Sequence, residues 1–253
     1  MDVPFLLAQL PLASNTGGGL LFAFENSNLP GKFIIVLLVF GSVFCWSIMW
    51  TKFSFIRLAR RESARFLSRF RKSADPLEIY SRELKFMPSP LAAVYRAGAE
   101  ELCFHLLGSS EVDETFELRL AESTRIGPVE MGSVRSAMER AVGEEMLKLE
   151  AQLVLLATAV SGAPFLGLLG TVWGVMDAFS GVAQAGQASM AALAPGVSGS
   201  LITTVTALLV AIPAMFGYNF LITTVKQMTV EMENFAAEAS ADFEHRYLRV
   251  DSR

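Results

Sequence analysis

Charge is scarce in this sequence, and long stretches have almost none. Asp, Glu, Lys and Arg make up 18% of its 253 residues, whereas roughly 25% is usual in soluble domains. Residues 1–30 contain no Lys or Arg. The basic start of a cleavable signal peptide is therefore missing, and none is predicted. Two cysteines, Cys45 and Cys103, are too few for a disulfide framework, and both are expected to be reduced.

The chain also lacks the motifs that support catalysis or nucleic-acid binding. His105 and His245 are isolated, and no Ser-His-Asp set, phosphate loop or metal-ligand spacing is present. Neither an enzyme, a cofactor nor a bound metal is therefore predicted. The basic residues form one short cluster beside a hydrophobic stretch, so we expect no nucleic-acid partner.

Two uncharged regions are long enough to cross a bilayer, which takes about 20 apolar residues per helix. Residues 33–51 contain no charge, and residues 151–225 contain only Asp177 in 75 positions. The longer region fits two helices, with Pro195 in the first turn of the second, where its missing N–H costs nothing. The predicted transmembrane helices are residues 31–53, 151–180 and 196–225, with a loop at 181–195.

Basic residues predict the orientation of these helices. Eight Lys and Arg residues fall within residues 52–72, where Glu62 is the only acid. Loops rich in Lys and Arg stay in the cytoplasm. Residues 1–30 and the 181–195 loop are therefore predicted to be periplasmic, and the C-terminus cytoplasmic.

The charged parts of the chain predict helices in the cytoplasm. Residues 54–150 form a helical domain, and the segment 139–150 is expected to continue without a break into the second span. Residues 226–253 form an amphipathic helix that packs on its own domain or on a neighbouring subunit. Its apolar face consists of Met228, Met232, Phe235, Ala239 and Phe243. The predicted fold is an all-α membrane protein with three spans and a helical cytoplasmic domain.

The second and third spans each carry a stripe of small and hydroxyl residues. Such stripes let membrane helices pack closely, and Gly170 and Gly174 match a small-xxx-small pattern. They could instead line an ion path, because hydroxyls replace part of an ion's hydration shell. Thr171 and Thr204 lie at similar distances from a hairpin apex near Gln187, which predicts similar depth in the membrane. The stripes are Gly167, Gly170, Thr171, Gly174 and Ala178, and Gly196, Gly199, Ser200, Thr203, Thr204, Ala207, Ala211 and Ala214.

Asp177 is the one titratable carboxylate of these two spans. An intramembrane carboxylate indicates function, but Asp177 is close enough to the outer end of its span to be a solvated interface residue. Both interpretations remain open. The chain lacks a carboxylate in mid-membrane, so a proton path would need a partner to supply one.

Two stretches resemble the TolQ/ExbB/MotA family of motor channel subunits, and the TolQ/ExbB branch most closely. They read APFLGLLGTVWGVM from Ala163 and APGVSGSLITT from Ala194. The resemblance implies five subunits in a ring around two single-span TolR/ExbD-like partners, in a bacterial inner membrane. It also implies that a partner Asp, protonated and ionised in turn as ions pass, lies beside Thr171 and Thr204. The predicted ion-pathway and partner-facing residues are Thr171, Thr204, Thr203, Ser200, Gly199 and Asp177.

One position departs from the family pattern. Gly199 stands where the TolQ/ExbB segment usually has Glu, and extra hydroxyls appear at Ser198, Ser200, Thr203 and Thr206. A role for a carboxylate in relaying protons at this position is therefore not carried over from the family to this chain. One hypothesis is that the ring relies on the partner Asp, with Asp177 modulating ion access. Another is use of Na⁺, because hydroxyl and carbonyl oxygens suit a hard cation.

The sequence thus predicts the channel subunit of an ion-driven motor, which couples proton flow to force delivered through its partner. A non-conducting scaffold for such a partner is the alternative from another class of function. A secondary transporter is disfavoured, because three spans without an inverted repeat leave little room for a substrate cavity.

Overall fold

A computed structural model describes residues 23–25, 27–185 and 190–249. Most of the predicted periplasmic segment 1–30, the predicted apex near Gln187 and residues 250–253 lie outside the described residues. The described residues form a succession of helices without a β-strand, so the all-α prediction is confirmed. The helices are α1 (Leu29–Phe70), α2 (Glu78–Ser81), α3 (Pro90–Leu107), α4 (Phe116–Glu122), α5 (Pro128–Glu150), α6 (Leu153–Ala185) and α7 (Met190–Tyr247).

Three of these helices, α1, α6 and α7, are long and apolar enough to cross a membrane. They are longer than the predicted spans. Helix α1 continues past residue 53 to Phe70, and α7 joins the third span to the C-terminal amphipathic helix without a break. The ends of these helices therefore do not mark the membrane boundaries, which remain predictions.

The predicted uninterrupted passage from α5 into α6 is wrong. Helix α5 ends at Glu150, and Gln152 has a φ of 71°, in the left-handed region. An α-helix of L-residues does not propagate through that conformation. Lys52 donates from Nζ to the carbonyl oxygens of Lys148 at 3.2 Å and Leu149 at 3.3 Å. These bonds satisfy carbonyls that the helix end leaves free.

The predicted loop at 181–195 is also too long. Helix α6 extends to Ala185 and α7 begins at Met190, so Pro195 lies in the second turn of α7 rather than in its first. The residues before Pro195 read Met-Ala-Ala-Leu-Ala. These are strong helix formers, and they start the helix earlier than the proline indicates.

The chain divides into two compact units. The first unit, residues 1–49 and 154–218, has a small apolar core and a large exposed apolar surface. A surface of this kind is anomalous in water and expected in lipid. On the third span, the exposed apolar residues include Leu201, Val205, Leu208, Ile212 and Met215. The core residues are Ile34, Leu38, Ala163, Ala207, Val210 and Ala211.

In the second unit, residues 50–153 and 219–253, α1 and α7 run parallel and in register. Three contacts join residues that are 167 positions apart: Phe53 with Phe220, Arg60 with Gln227, and Arg71 with Glu238. A constant offset means that the two helices point the same way. Buried residues on α1 alternate in steps of four and three, as in a coiled coil. They are Lys52, Ile56, Ala59, Ser63, Phe66 and Phe70.

The C-terminal amphipathic face packs within its own unit, which is one of the two arrangements that the sequence leaves open. The rings of Phe66 and Phe70 contact Phe235 with centroids 5.4 and 5.3 Å apart. At the end of this helix pair, Arg71 donates two hydrogen bonds of 2.8 Å to Glu238. These bonds lower the pKa of the Glu238 carboxyl. The predicted face, Met228, Met232, Phe235, Ala239 and Phe243, is at most 2% exposed.

Candidate ion-pathway site

Glycines on α6 bring its backbone very close to α7. A Cβ added at Gly170 would lie 2.5 Å from Thr203 Oγ1, and one at Gly174 would lie 2.5 Å from Ser200 Cβ. At Gly167 it would meet the Thr204 backbone at 3.0 Å. The two stripes of small residues therefore face each other within one chain. The packing interpretation holds for these residues, and it sets the geometry of the hydroxyls beside them.

Three threonine hydroxyls converge on one backbone carbonyl at this contact. The Gly167 oxygen accepts from the hydroxyls of Thr171 at 3.1 Å, Thr203 at 3.0 Å and Thr204 at 3.1 Å. The hydroxyls of Thr171 and Thr204 also bond to each other. A carbonyl has two lone pairs, so the three hydroxyls cannot all donate to it at once. Thr203 has a second acceptor in the Ser200 carbonyl, 2.7 Å away.

Burial separates the predicted site residues into two groups. Ser200 and Thr203 are 3% and 0% exposed, and Gly199 is also buried. The Ser200 hydroxyl donates to the Val197 carbonyl at 2.8 Å, so it is satisfied within its own helix. Thr171 and Thr204 are half-buried at the edge of the helix contact. They are the two hydroxyls of this cluster best able to reach a second molecule.

The hydroxyls of Thr171 and Thr204 can form hydrogen bonds to a group that gains and loses a proton. A hydroxyl donates one hydrogen bond and accepts others, so it can donate to a carboxylate and accept from the protonated acid. All of the possible ligand atoms in this cluster are oxygens. They include the Ser200 carbonyl oxygen, 3.4 Å from Thr171 Oγ1. Hard cations prefer such ligands. The described residues contain no group of three or more His, Cys, Asp or Glu that could hold a metal ion.

Asp177 lies apart from the hydroxyl cluster. It is exposed and follows Thr171 by six residues, roughly 9 Å along the helix axis. Its Oδ2 accepts a 2.6 Å hydrogen bond from Asn28 Nδ2. Asn28 in turn accepts from the Gly31 backbone N–H at 2.8 Å, which makes it the N-cap of α1. The carboxylate is therefore tied to the start of the first helix.

Sequence reasoning missed Asn28 and the carbonyl of Gly167. A signal for Asn28 existed, because Asn directly before a helix that has Pro at its second position is typical of an N-cap. Its bond to Asp177 spans 149 positions and has no local signal. The role of the Gly167 carbonyl depends on how the two helices cross, which residue types alone do not specify.

Three apolar helices, two of them joined face to face through hydroxyls, define a multi-pass helical membrane protein. A model of the MotA/TolQ/ExbB proton channel family matches residues 107–234, which is about half of the chain. The chain belongs to this family, in its TolQ/ExbB branch. This is a family of channel subunits rather than of enzymes.

Named relatives cover most of the chain. The Tol-Pal system protein TolQ of Pseudomonas aeruginosa is 33% identical over 199 residues, 77% of this chain and 79% of that protein. TolQ of Haemophilus influenzae is 30% identical over 223 residues, 85% and 89% of the two chains. The biopolymer transport protein ExbB of Pseudomonas putida is 27% identical over 227 residues, 88% of this chain and 64% of that protein.

Proposed function

We propose that this chain is the channel subunit of an ion-driven motor in a bacterial inner membrane. It couples proton flow to force that a single-span TolR/ExbD-like partner delivers. Five copies form a ring around two partner helices, with the N-terminus periplasmic and the C-terminus cytoplasmic. Membership of a proton channel family supports the class of function.

The hydroxyl pair of Thr171 and Thr204 is the observation that carries this proposal. Both side chains are half-buried at the edge of the α6–α7 contact, where a partner helix can reach them. A partner Asp docked there would receive hydrogen bonds when ionised and donate one when protonated. Gly199 leaves this chain without the usual carboxylate, so the partner Asp is the proton carrier. Asp177, linked to Asn28, modulates access from the periplasmic side.

Two alternatives follow from specific features of the site. The close packing of Gly167, Gly170 and Gly174 against α7 fits a scaffold that anchors a partner without conducting. The all-oxygen cluster of Thr171, Thr203, Thr204 and two carbonyls fits a sodium-driven version of the motor. The proton-driven channel is favoured, because the paired hydroxyls remain accessible rather than fully buried.

Substituting Thr204 by Val tests conduction. Valine keeps the shape of threonine but removes the hydroxyl, so Thr171 loses its hydrogen bond to residue 204. We expect the Thr204→Val ring to assemble with its single-span partner and to lose most of its proton flux. Flux is measured with a pH-sensitive dye in vesicles, and assembly by the amount of partner that co-purifies.

Two further variants serve as a control and a rescue for this experiment. Thr206→Val is a matched control two residues along α7, because the Thr206 hydroxyl donates to the Ile202 carbonyl of its own helix at 2.8 Å. It should conduct normally. Thr204→Ser restores a hydroxyl and should restore flux. Full flux in an assembled Thr204→Val ring would rule out the hydroxyl path, and a ring that never conducts with its partner would favour the scaffold.

A further inference from the structure

The Lys and Arg residues at 52–72, which follow the first apolar stretch, differ in whether their side chains have a partner in the chain. Most of them are held by acceptors of their own chain. The side chains of Arg57, Arg61 and Lys72 have no hydrogen-bond or acidic partner among the described residues, and Lys72 lies beyond the end of α1. Arg57 contacts the ring of Phe53, 4.5 Å from its centroid. The bonded ones are Lys52 with two carbonyls, Arg60 with Gln227, Arg65 with Glu62, Arg69 with Glu78, and Arg71 with Glu238.

These two arginines share one face of α1 with a tryptophan. Trp50, Ser54, Arg57 and Arg61 recur every three or four residues, which places them on one side of a helix. All four are exposed, and Trp50 is 76% exposed. The buried positions Lys52, Ile56, Ala59 and Ser63 lie on the opposite side. Among the described residues of the second unit, the face is therefore not covered by other helices.

The spacing along α1 puts Trp50 at the edge of the apolar layer, Arg57 at the outer edge of the headgroup layer, and Arg61 one helical turn beyond it. Arg57 follows Thr51, the last residue of the uncharged stretch, by six positions, or about 9 Å along the axis, and Arg61 by about 15 Å. The headgroup layer is roughly 5–8 Å thick on each side, and arginine side chains extend back toward it. Trp50 falls at the boundary of apolar and polar layers, where tryptophan is favoured.

We propose that Trp50, Arg57 and Arg61 form a binding site for an anionic phospholipid of the cytoplasmic leaflet. The guanidinium groups bind the lipid phosphate with paired N–H donors. The Phe53 ring holds the Arg57 group in position, and the Trp50 indole packs beside the glycerol and upper acyl chain. Each arginine near an anionic surface should enrich such lipids about fivefold, with Arg57 contributing more because it lies nearer to the phosphate layer.

Tryptophan fluorescence in vesicles measures this enrichment. The sequence has three tryptophans, so Trp46→Phe and Trp173→Phe leave Trp50 as the sole reporter in the full-length chain. The protein is reconstituted in phosphatidylcholine with a minority of phosphatidylglycerol, and bromine quenchers are placed on the acyl chains of one lipid or the other. We expect brominated phosphatidylglycerol to quench Trp50 more strongly at equal mole fraction.

Substitutions then show which arginine produces the preference for phosphatidylglycerol. Arg57→Gln should reduce the preference about fivefold, Arg61→Gln should reduce it less, and the double variant should abolish it. Arg65→Gln is the matched control, because it removes the same charge from α1 at a residue already paired with Glu62 at 2.5 Å. It should leave the preference intact. Circular dichroism checks that each variant keeps its helices.

Three results would overturn the proposal. Equal quenching by both lipids would mean that the site does not select charge. No quenching by either lipid would mean that another copy of the chain covers this face. An unchanged preference in the double variant would mean that other residues attract the lipid.

Discussion

At the scale of single residues, the glycines of α6 set how closely α7 can approach. Gly170 faces Thr203 with no room for a methyl group, whereas Gly162 on the same helix has nothing within 4 Å of an added Cβ. Both positions cost helix propensity relative to alanine. Only at Gly170 does the small residue allow a contact that a larger side chain would prevent.

Replacing Gly170 by Ala should therefore separate the two helices. The added Cβ would lie 2.5 Å from Thr203 Oγ1, and overpacking of this kind costs about 1–3 kcal/mol. We expect a lower unfolding temperature in detergent, measured by circular dichroism, and a weakened bond between Thr171 and Thr204. Gly162→Ala is the control and should be neutral or slightly stabilising. Equal unfolding temperatures for both variants would contradict the close contact.

The sequence could select the hydroxyls that the structure brings together at the Gly167 carbonyl, but not how each of them is buried. Hydroxyls at Thr171, Thr203 and Thr204 could be selected by type and spacing. Their separation into a buried Thr203 and a half-buried pair depends on the crossing of α6 and α7. Asn28 was missed as a partner of Asp177 because a contact between such distant positions has no local pattern.

At the scale of elements, the end of α5 is stabilised by a lysine from another helix. Lys52 is 7% exposed, and its ammonium group lies at the carbonyl end of α5, where the helix dipole is negative. Local sequence predicted a continuous helix there, because residues 139–150 favour helix and no proline or glycine follows Glu150 before Gly162. Hydrophobic periodicity predicts the long helices well, because the pattern depends only on residues that are close in sequence. The stop at Glu150 instead depends on a residue 96 positions from Lys148.

Substituting Lys52 by Met should loosen this helix end. A cation at a helix C-terminus contributes up to about 2 kcal/mol in a partly buried site, so amides of residues 147–153 should exchange hydrogen roughly 5–30 times faster. Exchange is followed by mass spectrometry on the purified complex.

Lys148→Met provides the comparison for this experiment. The Lys148 side chain is 65% exposed and pairs with Glu145 on the surface, where such pairs contribute little. It removes one positive charge from the same helix end but leaves the Lys52 bonds in place. If both variants exchange alike, the capping role of Lys52 is wrong.

At the scale of the whole molecule, the open question is whether the proposed motor transports protons or sodium ions. The proposed ring with its proposed partner should transport protons at the same rate when choline replaces sodium, because the proposed carrier is a carboxyl group that binds a proton. Proton uptake by vesicles under an imposed potential measures this. A fall in rate without sodium would instead support coordination of Na⁺ by the oxygen cluster of Thr171, Thr203 and Thr204.

Gln152, between the end of α5 and the start of α6, has a φ of 71°. Residues with a Cβ adopt this left-handed conformation at a steric cost of about 1–2 kcal/mol, whereas glycine adopts it readily. The turn between the two helices is therefore strained, and a glycine at this position would relieve the strain.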